Sequence, residues 1–371
     1  PALAMNGVRA VLTQDDVQGK PTFGQEEQDQ PVFCDGTARY WGEPVAVVAA
    51  DDEETARRAA EAIVVEWEPL APVTDPEKAV EEGSSFREMT VRRGDEGAKG
   101  TVVVEGIYET ATQDQAPLGP EAGFAIPDGE GGLDLYVTSQ WIHVDHRQIV
   151  ACLDMAPDSV RCHPAGIGGA FGSREDISLH IHVAMLSLAT GRPVRMVYDR
   201  TESFAGHVKR HPSRMWYRHE ADEDGMLIKV TARVLLDGGA YAHTSRAVLA
   251  NAAFFTVGPY RCENVVVDAA VAKTNNPPAG AMRGFGAVQT CFASESQMDL
   301  LAEKLGMDPL ELRRKNALRA GDPMSTSGQI IEGSLPTLEV IDAVEAIPLP
   351  DPLDDDDPRL LPGGTGLTSP R

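Results

Sequence analysis

The sequence predicts an α+β protein with mixed sheets and helices. Predicted strands and helices interleave along the chain, yet several strands are long and alternate between apolar and polar residues, which is typical of antiparallel sheets. The 371 residues are enough for two or three domains with a buried core. No apolar run reaches the roughly eighteen residues that a membrane span needs, so none is predicted.

Residues 1–80 are predicted to form a small α/β unit. Residues 44–50 (PVAVVAA) are a predicted strand, and residues 52–63 have the Ala-rich composition of a helix, with acids at its start as the helix dipole favours. The β-branched residues 63–67 (IVVEW) predict a returning strand. The chain opens at Pro1 without an initiator Met or a signal peptide, so we expect a fragment that is truncated at its N-terminus.

Polar, Gly-rich residues 81–100 are predicted to be a linker, and residues 101–345 a larger unit. Its predicted strands are 101–108, 133–138, 194–198, 228–236 and 265–272. Its predicted helices are 176–190, 288–305 and 309–318. The Pro-, Asp- and Gly-rich residues 346–371 cannot bury a core and are predicted to be a linker or tail.

Charge and cysteine content exclude several classes of function. The net charge of −24 argues against a nucleic-acid or membrane partner. The five cysteines are scattered and include no Cys-x-x-Cys pair. This pattern predicts reduced thiols in a cytoplasmic protein and offers no iron–sulfur site. A redox cluster would therefore have to lie on another chain.

Residues 166–176 (GIGGAFGSRED) are the first candidate site. Glycines before a helix let backbone N–H groups approach an anion closely, and Ser173 with Asp176 resembles a capping box that would start the helix. The alternative is a tight strand-to-helix turn whose glycines serve packing only.

Residues 275–286 (NNPPAGAMRGFG) are the second candidate. Two prolines and three glycines predict a rigid loop that presents Arg283 among small neighbours, which would let a bulky anion approach. The alternative is a surface loop in which Arg283 binds a neighbouring carbonyl.

Gln140, at the end of a predicted strand, is a third candidate, although an amide there is usually a loop residue. The histidines show no zinc-ligand spacing and are interpreted as core or surface residues. They are His143, His146, His180, His182, His207 and His211.

Together, Gln140, the GGAFG turn at 168–172 and the AMRGFG loop at 281–286 resemble the molybdopterin-binding subunits of the xanthine dehydrogenase and aldehyde oxidase family. Within that family, residues 113–121 (QDQAPLGPE) and 274–289 (TNNPPAGAMRGFGAVQ) look most like the large chain of bacterial xanthine dehydrogenases that are built from separate subunits. The resemblance covers nearly the whole chain. It implies an α/β hammerhead domain at 1–80 and the first half of a molybdopterin-binding domain at 101–345, with the second half missing.

The resemblance also implies roles for single residues. Gln140, Gly169, Phe171, Gly172 and Arg283 would bind the cofactor. The substrate would contact Glu175, Asn251 and Phe285. Molybdenum would be held by the dithiolene sulfurs of the pterin, in its mononucleotide or cytosine dinucleotide form, without a protein ligand. No catalytic residue is expected in this fragment, because the family's general-base Glu lies in the missing half.

The implied reaction is the hydroxylation of a purine with oxygen from water. Electrons would leave to a [2Fe-2S] subunit and an FAD subunit, in a dimer of heterotrimers. Animal purine-oxidising enzymes carry an arginine where this chain has Asn251, nine residues before Tyr260, so an aldehyde- or nicotinate-type hydroxylase stays open. The copper-binding cysteine of carbon monoxide dehydrogenases is absent from residues 275–286. A non-catalytic half-subunit or scaffold is the third alternative.

Overall fold

The computed structural model describes residues 1–348. It confirms the predicted α+β class, because its sheets contain both parallel and antiparallel pairs. Most of the tail predicted at 346–371 lies outside the described residues. No helix within residues 1–348 combines the length and apolar character needed to cross a membrane.

The strands of the described residues form two larger sheets and two small ones. In chain order they are β1 (Val8–Leu12), β2 (Thr22–Phe23), β3 (Gln30–Pro31), β4 (Val47–Ala50), β5 (Ser85–Arg93), β6 (Val102–Thr110), β7 (Ala122–Pro127), β8 (Leu133–Val137), β9 (Val160–Pro164), β10 (Val194–Val197), β11 (Ser213–Ala221), β12 (Leu227–Asp237) and β13 (Asn264–Ala272).

The α-helices of the described residues lie between and after these strands. In chain order they are α1 (Glu53–Glu61), α2 (Pro76–Glu81), α3 (Ile142–Leu153), α4 (His180–Thr190), α5 (Arg200–Gly206), α6 (Ser245–Phe254), α7 (Ala287–Leu305), α8 (Pro309–Asn316) and α9 (Thr337–Glu345).

The five-stranded sheet has the order β5-β13-β12-β11-β6, and α6 and α7 pack against it. Strands β12 and β13 are parallel because α6 lies between them in the chain and carries it back across the sheet. Inward-facing residues of β11, β12 and β13 alternate with outward ones, and they build the larger hydrophobic core with α6 and α7.

The prediction of a linker over 81–100 is wrong where β5 pairs along the length of β13. This strand is at the edge of the sheet, and within it only Phe86 and Val91 are buried. A half-exposed edge strand carries many polar side chains, so its composition resembles that of a linker.

The four-stranded sheet has the order β10-β7-β8-β9, and α3 and α4 pack on it. Its strand β9 leads into residues 166–176. The helix predicted from Asp176 begins only at His180. The predicted capping box is absent, because the Ser173 hydroxyl donates to the Ala170 carbonyl at 2.8 Å and therefore closes a turn instead.

Near the N-terminus, β1 and β4 form an antiparallel pair, and the predicted helix is present as α1. Asp52 caps α1, accepting from the Thr55 amide at 2.8 Å. The strand predicted at 63–67 is wrong: Val64 is 78% and Trp67 58% exposed, and no strand within residues 1–348 pairs with this segment. β-Branched residues favour a strand only where a partner strand is available.

Candidate functional site

The glycine turn, residues 166–176, follows β9 and adopts a backbone that few side chains tolerate. Gly169 has φ +97°, Phe171 +56° and Gly172 +106°. A Cβ on Gly172 would lie 2.6 Å from the Ala281 carbonyl oxygen, so only glycine allows the turn to approach the 281–283 backbone this closely. Phe171 is left half exposed at the surface of the turn.

The arginine loop, residues 275–286, contacts this turn directly. The Arg283 amide donates to the Phe171 carbonyl at 2.9 Å, while the Arg283 side chain is exposed. Three consecutive residues, Gly284 to Gly286, have positive φ values of +90°, +48° and +94°. The loop thus turns sharply into α7 and keeps the guanidinium of Arg283 at the surface beside the glycine turn.

Side-chain donors from three other parts of the chain hold the carbonyls of the arginine loop. Gln115 donates to the Ala281 carbonyl, Arg210 to that of Arg283, and Asn251 to that of Phe285, each at 2.7 Å. Sequence reasoning missed Gln115 and Arg210, because their function depends on which carbonyls the fold turns toward them. The Asn251 amide, predicted to face substrate, is bonded here to the loop backbone.

Gln140 lies on the other side of the glycine turn, just before α3. Its amide N–H donates to the Arg174 carbonyl at 2.7 Å, and its side-chain oxygen accepts from the Arg174 amide at 3.3 Å. The side-chain NH₂ of Gln140 therefore remains as an outward donor. Hydrogen bonds thus connect Gln140 to the glycine turn and the glycine turn to Arg283.

Buried charges lie behind the glycine turn. The Arg174 guanidinium pairs with Glu121, and both side chains are almost fully buried. Burial opposes ionisation of Glu121, but interactions with His207 and Arg174 lower its pKa to about 2. His243 Nδ1 lies 2.9 Å from Asp176 Oδ1, which fastens the end of the turn to the segment before α6. Sequence reasoning missed these pairs, since their partners are far apart in the chain.

The remaining predicted substrate contacts lie beside the two loops. Glu175 is half-buried, and burial, with a smaller effect of Asp176, raises its pKa. The Phe285 ring is half-buried against the core that α6 and α7 cover. Within residues 1–348, no three His, Cys, Asp or Glu side chains are grouped as ligands for a metal ion.

The two loops and Gln140 offer hydrogen-bond donors and a cation; Gln140 and Arg283 are exposed, whereas Gly172 is buried. Among the described residues, the structure shows no acceptor for the backbone N–H groups of residues 169–172. A Cβ on Gly166 would meet no atom within 4 Å, so the space at the start of the turn is open. These amides, the Gln140 NH₂ and the Arg283 guanidinium together suit an anionic, oxygen-rich ligand.

The site is an open surface, not a closed pocket. Gln140, Phe171 and Arg283 are all exposed. A cleft of about 650 Å³ lies elsewhere, between β4 and β10. Binding of a large ligand at the two loops with full exclusion of water would need a further surface to cover it.

Two family models match the chain. The model described as molybdopterin cofactor-binding domain matches residues 80–317. The model described as the a/b hammerhead domain of aldehyde oxidase and xanthine dehydrogenase matches residues 1–71.

Curated relatives and solved structures agree with this match. A probable xanthine dehydrogenase subunit from Bacillus subtilis is 37% identical over 86% of this chain and 44% of its own length. The nicotinate dehydrogenase large molybdopterin subunit of Eubacterium barkeri is 37% identical over 92% of this chain and 83% of its own length. The aldehyde oxidoreductase of Desulfovibrio gigas superposes with a TM-score of 0.87 at 31% identity, covering 93% of this chain and 40% of that one. The chain thus spans less than half of two of these relatives and most of the third.

Proposed function

Because this chain belongs to the xanthine dehydrogenase and aldehyde oxidase family of molybdopterin-binding proteins, we propose that it carries one wall of the molybdenum-cofactor site of a hydroxylase that oxidises a purine or a related N-heterocycle. The observation that carries the proposal is the hydrogen bond from the Arg283 amide to the Phe171 carbonyl. It joins the two loops into one surface of donors.

The donors present fit this cofactor. The amides of residues 169–172 and the guanidinium of Arg283 suit its anionic groups, and the Gln140 NH₂ suits an oxo ligand. When bound, the cofactor supplies two-electron oxidation with oxygen from water. The residues of this chain bind and orient the cofactor, and Glu175 and Phe285 provide a carboxyl and a ring for an N-heterocyclic substrate.

The exposure of Gln140, Phe171 and Arg283 supports a second part of the proposal. The rest of the pocket, with a general-base carboxylate, would come from polypeptide outside residues 1–348. Iron–sulfur and FAD subunits take the electrons. On this view the chain by itself does not turn over purine.

A nicotinate- or aldehyde-type hydroxylase is the second candidate. It is favoured by the nicotinate dehydrogenase large molybdopterin subunit, of which this chain covers 83% at 37% identity. Asn251 also favours it, because its amide is bonded to the Phe285 carbonyl and no arginine stands in that position to bind a purine oxygen.

The experiment is to produce the chain together with an iron–sulfur subunit, an FAD subunit and the polypeptide that completes the pocket, in a host that makes molybdenum cofactor. The purified complex is assayed for molybdenum, and for dye reduction with xanthine, hypoxanthine, nicotinate and benzaldehyde. We expect about one molybdenum per chain and the fastest dye reduction with a purine. Fastest reduction with nicotinate or aldehyde supports the second candidate. A complex without molybdenum overturns both hydroxylase candidates and favours a non-catalytic scaffold. Mass spectrometry of the released pterin identifies its nucleotide form.

A further inference from the structure

A carboxyl group with no role in the site described above lies directly behind Gln140. Asp145, in the first turn of α3, is 1% exposed. One of its oxygens, Oδ2, accepts a hydrogen bond from the Ser139 hydroxyl. Within the described residues, the other oxygen, Oδ1, is buried without a hydrogen-bond partner.

Asp145 is costly to bury. Burial raises the pKa of Asp145 to about 7, nearby Asp176 adds to this rise, and the Ser139 hydrogen bond only partly opposes it. Burial, with a smaller effect of Asp145, also raises the thiol pKa of Cys162 on β9. An apolar side chain here would avoid the cost, so stability of the fold does not explain an acid at this position.

The contacts of Asp145 connect it to the backbone on both sides of Gln140. The Ser139 oxygen that donates to Asp145 also accepts from the Trp141 amide at 3.0 Å. Residues 139 and 141 are therefore both fixed to one carboxyl, while the amide of Gln140 between them donates to the Arg174 carbonyl at 2.7 Å. With its oxygen facing the Arg174 amide, the side chain of Gln140 can present only its NH₂ outward.

We propose that Asp145 is a positioning residue for Gln140: through Ser139 it fixes the 139–141 loop and thereby the direction of the amide donor that faces the bound cofactor. The inference rests on the proposed function, because it requires Gln140 to contact the cofactor. Asp145 itself is buried behind the loop and touches neither cofactor nor substrate.

The test compares variants of the cofactor-loaded complex. Asp145→Leu removes the acceptor at similar volume, whereas Asp145→Asn keeps an acceptor oxygen and removes the charge. We expect Asp145→Leu to release molybdenum about tenfold faster, by analogy with the loss seen when groups that orient a metal's ligands are removed. Asp145→Asn should release molybdenum at close to the parent rate. Arg147→Gln, on the exposed face of α3, is the matched control. Melting temperatures are recorded for every variant.

A double-mutant cycle separates positioning from general destabilisation. If Asp145 acts through Gln140, Asp145→Leu in a Gln140→Ala background should give no further loss of cofactor. Additive losses, or an Asp145→Asn variant as defective as Asp145→Leu, overturn the proposal. If Asp145→Leu fails to fold, Ser139→Ala removes the other partner of the Ser139–Asp145 hydrogen bond. It must then give no further loss of cofactor in the Gln140→Ala background.

The cycle also separates failure of the positioning role of Asp145 from failure of the proposed cofactor site. If the complex binds molybdenum and Gln140→Ala does not change its retention, Gln140 does not face the cofactor. The proposed role of Asp145 is then refuted as well. The proposed cofactor site would survive that result. Normal sensitivity to Gln140→Ala with none to Asp145→Leu refutes the positioning role alone.

Discussion

The glycine turn and the arginine loop meet at one hydrogen bond but are held from behind in opposite ways. The glycine turn sends charged side chains inward, where Arg174 pairs with Glu121 and Asp176 with His243. The arginine loop turns carbonyls inward, and neutral or cationic donors from Gln115, Arg210 and Asn251 satisfy them.

This difference shows that an irregular loop can be made rigid either by pairing buried charges or by satisfying buried carbonyls. Both solutions leave the outward face free for a ligand. Removing one member of a buried ion pair strands a charge, whereas removing one neutral donor strands a carbonyl. The glycine turn should therefore be the more fragile of the two.

The largest effect is expected for Arg174→Met. Loss of the guanidinium leaves Glu121 buried without its arginine partner, and the free energy of unfolding should fall by about 3–5 kcal/mol. Urea denaturation at pH 7 measures it. The control is Arg195→Met, whose side chain is 67% exposed and pairs at the surface with Glu53, and it should change little. A loss of stability as small as that of Arg195→Met would contradict the view that the glycine turn depends on this buried ion pair.

The pH dependence of stability tests the same pair. The folded pKa of Glu121 is lowered to about 2, so its stabilisation is present above its unfolded pKa and is lost as the pH falls toward 2. The contribution is about 3 kcal/mol at neutral pH. Unfolding measured from pH 6 to pH 3 should show a steeper loss in the parent than in Glu121→Gln. Parallel curves would exclude this role.

Gly172→Ala tests the close approach of the two loops. With φ +106° and a Cβ 2.6 Å from the Ala281 oxygen, the new methyl group must displace backbone, at a cost of about 2–3 kcal/mol. Thermal unfolding measures the loss. Gly166→Ala is the control in the same turn, because its Cβ would meet no atom within 4 Å. Equal melting temperatures for the two variants would show that the loops do not touch as described.

A smaller loss of stability is expected for a substitution that frees a carbonyl of the arginine loop. Asn251→Ala leaves the Phe285 carbonyl without its 2.7 Å donor, which should lower the free energy of unfolding by about 1–2 kcal/mol. The control is Ser296→Ala, which removes an exposed hydroxyl bonded to Phe292 within α7. If Asn251→Ala costs as much as Arg174→Met, the proposed ranking of the two loops is wrong.

Arg283→Gln should leave stability almost unchanged, because the guanidinium is exposed and the link to Phe171 uses the backbone amide. Arg283→Gln should instead weaken cofactor binding, so the complex should retain less molybdenum after gel filtration. Arg58→Gln, exposed on α1, is the control for the loss of one positive charge. Unchanged molybdenum content would remove Arg283 from the cofactor site.

The sequence by itself determined the elements whose signals are local. The acid-capped helix α1, the alternating strands β6, β12 and β13, and the two glycine-bearing segments all follow from neighbouring residues. The combination of Gln140 with those segments also identified the family, which the matches over residues 1–71 and 80–317 confirm. The roles assigned to single site residues stay predictions.

Only the tertiary structure decided features that depend on distant partners. Residues 85–93 form a strand despite their polar composition because β13 offers them an edge, while the β-branched residues 63–67 have no partner strand among the described residues. Helix α4 starts at His180 and not at Asp176, since Ser173 bonds backward to Ala170 and does not cap a helix from Asp176. The pairing of Arg174 with Glu121 joins residues 53 positions apart. Local propensity is set by neighbours in the chain, but buried charges and sheet edges are satisfied by neighbours in space.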